Sequence, residues 1–308
     1  MDKDLSIAYN QHTDKDAEEK GMLFMNIIVC VKQTPEAGRG EMDPKTTAVR
    51  RTDGRQMINP FDLYAMEAAL RIQEEKPDTR IIALSMGPAS AASVLRDCIA
   101  LGAETGYLVC DPGFAGSDVR GTAQVLAQAV RIIEKREGIR ADAVFCGAKT
   151  VDGGTGMLGP ELAQFLHLPQ VTYALYCRLL EEGGGLRVEK EDDRGNRIYN
   201  VPLPCLITFT KASFEVRYPM IARILEAESM ELPVLSAKEL ASEEDDGTEA
   251  ETAAGAAGLS FAGAGRAATQ VSKVQLRKLE KQSQIIEEAD PVKAVTALAQ
   301  KLYSEGVL

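Results

Sequence analysis

The residues best placed to do chemistry lie between Ala143 and Ala174, AVFCGAKTVDGGTGMLGPELAQFLHLPQVTYA. A short apolar stretch, Ala143 to Cys146, breaks into a loop carrying Gly147, Gly153, Gly154, Gly156 and Gly159, and Leu158, Leu162 and Phe165 then recur at helical spacing. A strand, a glycine loop and a helix start together turn backbone N–H groups toward an anion at the positive end of the helix. The chemistry this predicts is phosphate or pyrophosphate binding. Gly154, Gly156 and Gly159 satisfy a literal G-x-G-x-x-G, the spacing of a dinucleotide site. The next strand, Gln170 to Tyr176, nevertheless ends without the carboxylate that would hold a ribose. A loop that merely turns tightly explains the same glycines.

Other chemistries are poorly served. The six cysteines (Cys30, Cys98, Cys110, Cys146, Cys177, Cys205) never form a C-x-x-C, and only His12 and His167 could join them, so a zinc or iron–sulfur centre is not expected. They read as buried thiols of a reducing compartment; Cys146, at the loop, has either a redox role or that of a small core residue. There is no P-loop Lys-Ser/Thr and no G-x-S-x-G elbow, so no catalytic side chain is assigned. The net charge of −11 is concentrated between Glu226 and Glu251, where ten acidic residues face only Lys238, and this argues against a nucleic-acid footprint. No apolar run approaches the roughly 20 residues of a membrane span. The polar first 24 residues are unlike an export signal, so the expected location is cytoplasmic.

The elements that must position the loop alternate along the chain. Residues 1–24 read as a disordered extension, and folding is expected to begin at Met25. Asn26 to Val31 is a buried strand, followed by polar, turn-rich sequence to Arg55. Asn59 suits an N-cap, Pro60 the first helical position, and Asp62 the first turn of a helix buried through Leu63, Met66 and Leu70. Strands at Arg80 to Ser85 and Gly106 to Cys110 each precede a helix, the second with a core face of Val119, Ala123, Leu126, Val130 and Ile133. This predicts an α/β fold, a Rossmann-like parallel sheet with helices on both faces and ligands beyond the strands' carboxyl ends. A small β-hairpin, Leu186 to Glu191 with Arg197 to Val201, and a further strand, Pro204 to Thr210, complete a domain over 25–235. An acidic Ala/Gly-rich linker over 236–258 and an arm over 259–308 follow, the arm closing in a helix from Pro291 to Tyr303.

Taken together, VCVKQTP at Val29, NPFDLYAMEAALR at Asn59, LSMGP with ALGAETG, the glycine-loop stretch, and LPCLITFTKASFEVRYPMIARILEA at Leu203 give a chain that resembles the β subunit of electron transfer flavoproteins almost continuously from Met25 to Ala227. The resemblance implies an adenine nucleotide alpha hydrolase-like fold and an adenine nucleotide held at the strand ends by Cys30, by Asn59, Pro60, Phe61 and Asp62, by Met86, and by the loop Gly147 to Leu158. In that loop it marks Lys149, Thr150, Val151, Asp152, Gly153, Gly154, Thr155, Gly156 and Met157, with the phosphates over the Gly153 to Gly156 amides. Some members hold AMP; others, the bifurcating type, hold a second FAD that takes a hydride from NADH and divides its electrons. The segment DPGFAGSDVRGTA looks like the bifurcating type, which favours FAD, with Asp118 and Thr122 as added contacts. Asp118 is equally an N-cap. This sequence departs from the family at Gly154, where a carboxylate is usual, and at Met157, where a glutamine is usual.

The resemblance further implies an α-subunit partner embraced by the arm, a dehydrogenase of the acyl-CoA or another flavin type, and, for bifurcation, NADH with ferredoxin or flavodoxin. The dehydrogenase-docking loop maps to Thr210 to Arg217. Its usual apolar anchor falls at Ser213, beside Phe214 and Glu215, and Phe214 is the substitute anchor, with a core phenylalanine as the competing explanation. A nucleotide-binding protein of similar fold acting without an α subunit is the further alternative.

Overall fold

The computed structural model describes residues 24–36, 41–42, 49–50, 56–181, 183–211, 214–242, 267–269 and 283–307. Residues 1–23 of the expected extension, most of the linker and Ser213 lie outside the described residues. The chain divides into two units, 1–271 and 272–308.

The first unit is an α/β fold built on a nine-stranded sheet. Its central strand is β1 (Met25–Cys30), every residue of which is buried, as a continuous apolar run requires when helices cover both faces. On one side of it lie β6 (Thr79–Met86), β7 (Thr105–Val109) and β13 (Val234–Leu235); on the other, β8 (Ala143–Gly147), β12 (Cys205–Phe209) and β9 (Gln170–Leu179), all parallel. The hairpin β10 (Gly185–Lys190) and β11 (Arg197–Pro202) extends that side antiparallel. The polar segment after β1, expected to be loop, carries two short antiparallel ribbons: β2 (Gln33–Pro35) with β5 (Gln56–Ile58), and β3 (Glu41–Met42) with β4 (Val49–Arg50).

One face of the sheet is covered by α1 (Pro60–Glu75), α2 (Ala92–Leu101) and α5 (Ile221–Ser229), packed around Met66, Leu95 and Ile99. The other is covered by α3 (Val119–Glu137), α4 (Leu158–Leu166) and α6 (Ala237–Ser242), through Leu126, Ile133, Leu162 and Leu240. Order therefore continues past the expected boundary at 235, because Leu240, fully buried, seals the edge beside β13. Sequence order runs from β1 outward through β6 and β7, then returns to β8 on the opposite side. This reversal beside β1 opens a crevice at the strands' carboxyl ends.

The second unit contains α7 (Pro291–Ser304), capped by Asp290, which accepts from Val292 N–H at 2.9 Å. Val292, Val295, Leu298 and Tyr303 are exposed along it.

Candidate functional site

The crevice is a pocket of about 650 Å³, within the roughly 300–1,000 Å³ usual for cofactor sites. Cys30, Met86 and Cys146 line it from the ends of β1, β6 and β8, and Leu84 and Val109 add apolar wall. Cys30 and Cys146 are register partners on adjacent strands. Burial, then the neighbouring Asp62 charge, pushes the Cys30 thiol up to about 12, and burial raises Cys146 well above the usual thiol range. Both are neutral wall atoms rather than thiolate nucleophiles.

The glycine loop is held from beneath by α1. Asn59, fully buried at the N-cap position, makes no side-chain cap bond. Its amide instead donates to Lys149 O at 2.9 Å and to Asp62 Oδ1 at 3.0 Å, and its carbonyl oxygen accepts from Val151 N–H at 3.2 Å. Asp62 also accepts from Lys32 N–H at 2.7 Å and Gly147 N–H at 2.9 Å. Burial pushes its carboxyl up to about 7, against these donors and the Lys32 charge, which pull it down. One carboxylate thus ties the ends of β1 and β8 to the start of α1.

The loop itself bends differently from expectation. Gly153 N–H donates to Thr150 Oγ1 at 3.1 Å and Gly154 N–H to Thr150 O at 2.9 Å, so these two amides are turned into the loop. Thr155, Gly156 and Leu158 face the pocket. Gly156 has φ +67°, and a Cβ there would lie 3.0 Å from the Tyr173 hydroxyl. Tyr173, at φ 59°, holds a backbone conformation uncommon for a bulky residue, and Thr208 Oγ1 accepts from its N–H at 3.0 Å. Lys32 reaches over the loop to both oxygens of Asp152, at 2.7 and 2.9 Å. Lys149 Nζ lies 5.5 Å from the centre of the Phe61 ring.

Of the expected positions, Cys30, Asp62, Met86, Thr122, Gly147, Lys149, Thr150, Thr155, Gly156 and Leu158 line the pocket. Asn59 and Phe61 support it from behind, Asp152 stands at the rim, and Val151 and Met157 are half exposed. Asp118 has both oxygens engaged: Oδ1 caps α3 through Gly121 N–H at 2.9 Å, and Oδ2 accepts from the Thr269 N–H and hydroxyl at 2.9 and 3.0 Å. Lys32, Asp111 and Phe114 line the pocket without having been expected there. Lys32 stands in the VCVKQ run already singled out, and its charge was the available signal. Ala115 to Ser117, Thr122 and Leu126 also line the pocket.

The arrangement fits an adenine nucleotide carrying phosphate. It offers an apolar wall for a flat ring, two lysines in its lining, and a loop whose left-handed glycines bring backbone close to a ligand. Among the described residues no group of acidic, histidine or cysteine side chains could hold a metal ion, and no helix is long and apolar enough to cross a membrane.

Phe214 is turned inward. Its ring meets Tyr64 and Tyr176 edge-on, at 6.2 and 6.4 Å, under the Arg71 guanidinium, 4.5 Å from the ring centre. Glu215 is exposed.

The electron transfer flavoprotein domain matches residues 46–240. The electron transfer flavoprotein subunit beta of Megasphaera elsdenii is 38% identical over 71% of this chain and 81% of its own length. The caffeyl-CoA reductase-Etf complex subunit CarD of Acetobacterium woodii is 36% identical over 66% and 75%. Protein FixA of Azotobacter vinelandii is 31% identical over 91% of this chain and 95% of its own length. With a crevice at the sheet's turning point and relatives that cover so much of its length, the chain belongs to the electron transfer flavoprotein family, in its beta-subunit branch.

Proposed function

We propose that this chain is the β subunit of a heterodimeric electron transfer flavoprotein. Its pocket would hold FAD, and electrons would pass between NADH, the α-subunit flavin and a partner dehydrogenase, with ferredoxin or flavodoxin as second acceptor. The observation that supports the choice of FAD over AMP is the volume of the pocket, about 650 Å³. Its lining includes Phe114, Thr122 and Leu126 as well as the glycine loop, and FAD has more than twice the non-hydrogen atoms of AMP. The name of the caffeyl-CoA reductase-Etf complex, matched by this chain, agrees with a partner of the acyl-CoA type.

A flavin bound here supplies the conversion between a hydride and single electrons; the chain's residues bind, orient and exclude water. Lys32 is held by Asp152, while Lys149 attracts the phosphates. Asn59 and Asp62 hold the loop that receives them, and Cys30, Leu84, Met86 and Val109 keep the ring's surroundings dry. Thr122 rather than Asp118 offers the side-chain contact from its segment, since Asp118 is occupied by Gly121 and Thr269. The loss of a carboxylate at Gly154 removes a negative charge from the phosphate end.

The docking segment begins at Phe214, which seats it, and displays Tyr218, Met220, Ile221 and Leu225, all largely exposed. The apolar stripe of α7 supplies the contact with the α subunit. The deciding experiment counts bound groups in the co-purified heterodimer. Two flavins support the proposal, one flavin with AMP overturns the bifurcating reading, and neither flavin nor α subunit overturns the whole. Phe214→Ala should raise KM for the dehydrogenase at unchanged flavin content.

A further inference from the structure

We propose that Glu67 is a positioning residue for the partner-docking segment, an inference that rests on the electron-transfer reading above. Helix α1 works at two places along its length. Its first turn fixes the pocket walls through Asn59 and Asp62, and its middle turns receive residues 214–217, contributed from the far end of the domain's sequence. Glu67, buried on α1, accepts from Arg217 through the backbone N–H at 3.2 Å, Nε at 2.8 Å and Nη2 at 2.9 Å. The same carboxylate accepts from Arg71 Nε at 3.1 Å, and Arg71 in turn lies over the Phe214 ring. Arg217 Nη2 also reaches Glu74 at 2.9 Å.

One buried anion therefore orients two arginines. One grips the segment's aromatic seat, and the other is the segment's own last anchor before it turns outward. A planar guanidinium fork on a carboxylate fixes direction as well as distance, and the buried carboxylate is costly to leave unpaired, so the geometry has few alternatives. Immediately beyond Arg217, Tyr218, Met220 and Ile221 are 93%, 70% and 78% exposed. Holding their root in place before a dehydrogenase arrives removes ordering entropy from the encounter.

The test uses the αβ heterodimer and a short-chain acyl-CoA dehydrogenase that the wild type reduces. Glu67→Gln keeps the size and one acceptor but removes the charge; Arg217→Lys keeps the charge but removes the fork, and serves if the first variant does not fold. Either should speed amide exchange over 214–220 in the absence of dehydrogenase. Either should also raise KM for the dehydrogenase by roughly tenfold, with kcat and flavin content unchanged. Unchanged exchange and KM would overturn the proposal. A raised KM in Phe214→Ala with wild-type KM in both clamp variants would overturn the positioning role and leave the docking segment standing. Wild-type KM in all three would overturn the docking reading itself.

Discussion

Gly147 is a position where a single methyl group should do marked harm. It ends β8 in an ordinary backbone conformation, so alanine is not refused by its dihedral angles; the obstacle is space. A Cβ there would lie 2.3 Å from Asp62 Oδ1, 2.7 Å from Phe61 Cβ and 2.9 Å from Asp62 N. The last of these is helix backbone and cannot swing aside, so β8 and the start of α1 must separate by about 1 Å to regain van der Waals distance. Overpacking of this kind costs about 1–3 kcal/mol. The separation also breaks the Gly147 N–H bond to Asp62, which above about pH 7, where the carboxyl is ionised, contributes about 1.5–3 kcal/mol. Together these give about 2.5–6 kcal/mol, or a Tm lower by roughly 5–24 °C in a domain of this size. Gly154→Ala is the matched control. Its φ is +66° but its nearest neighbour is Thr150 O at 3.9 Å, so only the left-handed backbone is penalised, by about 1–2 kcal/mol. Urea denaturation and thermal melts of the two variants, with and without added FAD, make the comparison. Gly147→Ala within about 1 kcal/mol of wild type, or Gly154→Ala equally damaging, would refute the account of how α1 and β8 meet.

Asp62 makes stability depend on pH in a stated direction. Because burial raises its carboxyl from the ordinary 3.8 to about 7, the native state retains a proton that the unfolded chain has released. Its contribution is greatest below the ordinary carboxylate range and is lost as pH rises to about 7, by about 4 kcal/mol in all, with no further change above. Asp62→Asn should remove this component, so urea midpoints of wild type and variant compared from pH 4 to 8 should differ in slope; parallel curves would contradict it. Asp118→Asn keeps an acceptor for Gly121 N–H but turns an amide toward Thr269, and Thr269→Val removes the hydroxyl. Both should raise amide exchange at residues 268–269 and leave FAD affinity as in wild type, whereas weakened FAD binding in Asp118→Asn alone would show that the carboxylate serves the ligand.

The local pattern of the chain revealed most of its elements. Continuous apolar runs at Met25–Cys30 and Ala143–Gly147 are what strands covered on both faces require, and Pro60 with Asp62 marks a helix start whatever lies around it. The two-residue strand β13 and the six-residue α6 escaped because short elements among serines and acids carry no periodicity; burial of Leu235 and Leu240 holds them. The short ribbons between β1 and α1 escaped for the same reason.

The site was legible in part, for a related reason. Glycines betray a loop by what backbone geometry demands of them, so the loop at the end of β8 could be read in advance. Which amides face a ligand could not, because that depends on Thr150 drawing in Gly153 and Gly154. Asn59 looks like a helix cap from its neighbours alone; only the folded chain brings Lys149 and Val151 within reach and gives its side chain other work. Lys32 with Asp152, Asp118 with Thr269 and Glu67 with Arg217 are likewise pairs separated by more than a hundred positions. The sequence alone determined the element types, the alternating architecture and the family, because these follow from short-range spacing and from motifs kept in order. Tertiary structure decided the strand order, the crevice beside β1 and the partner of each charged side chain, because those depend on segments meeting in space, where distance and burial select among contacts that the sequence leaves equally open.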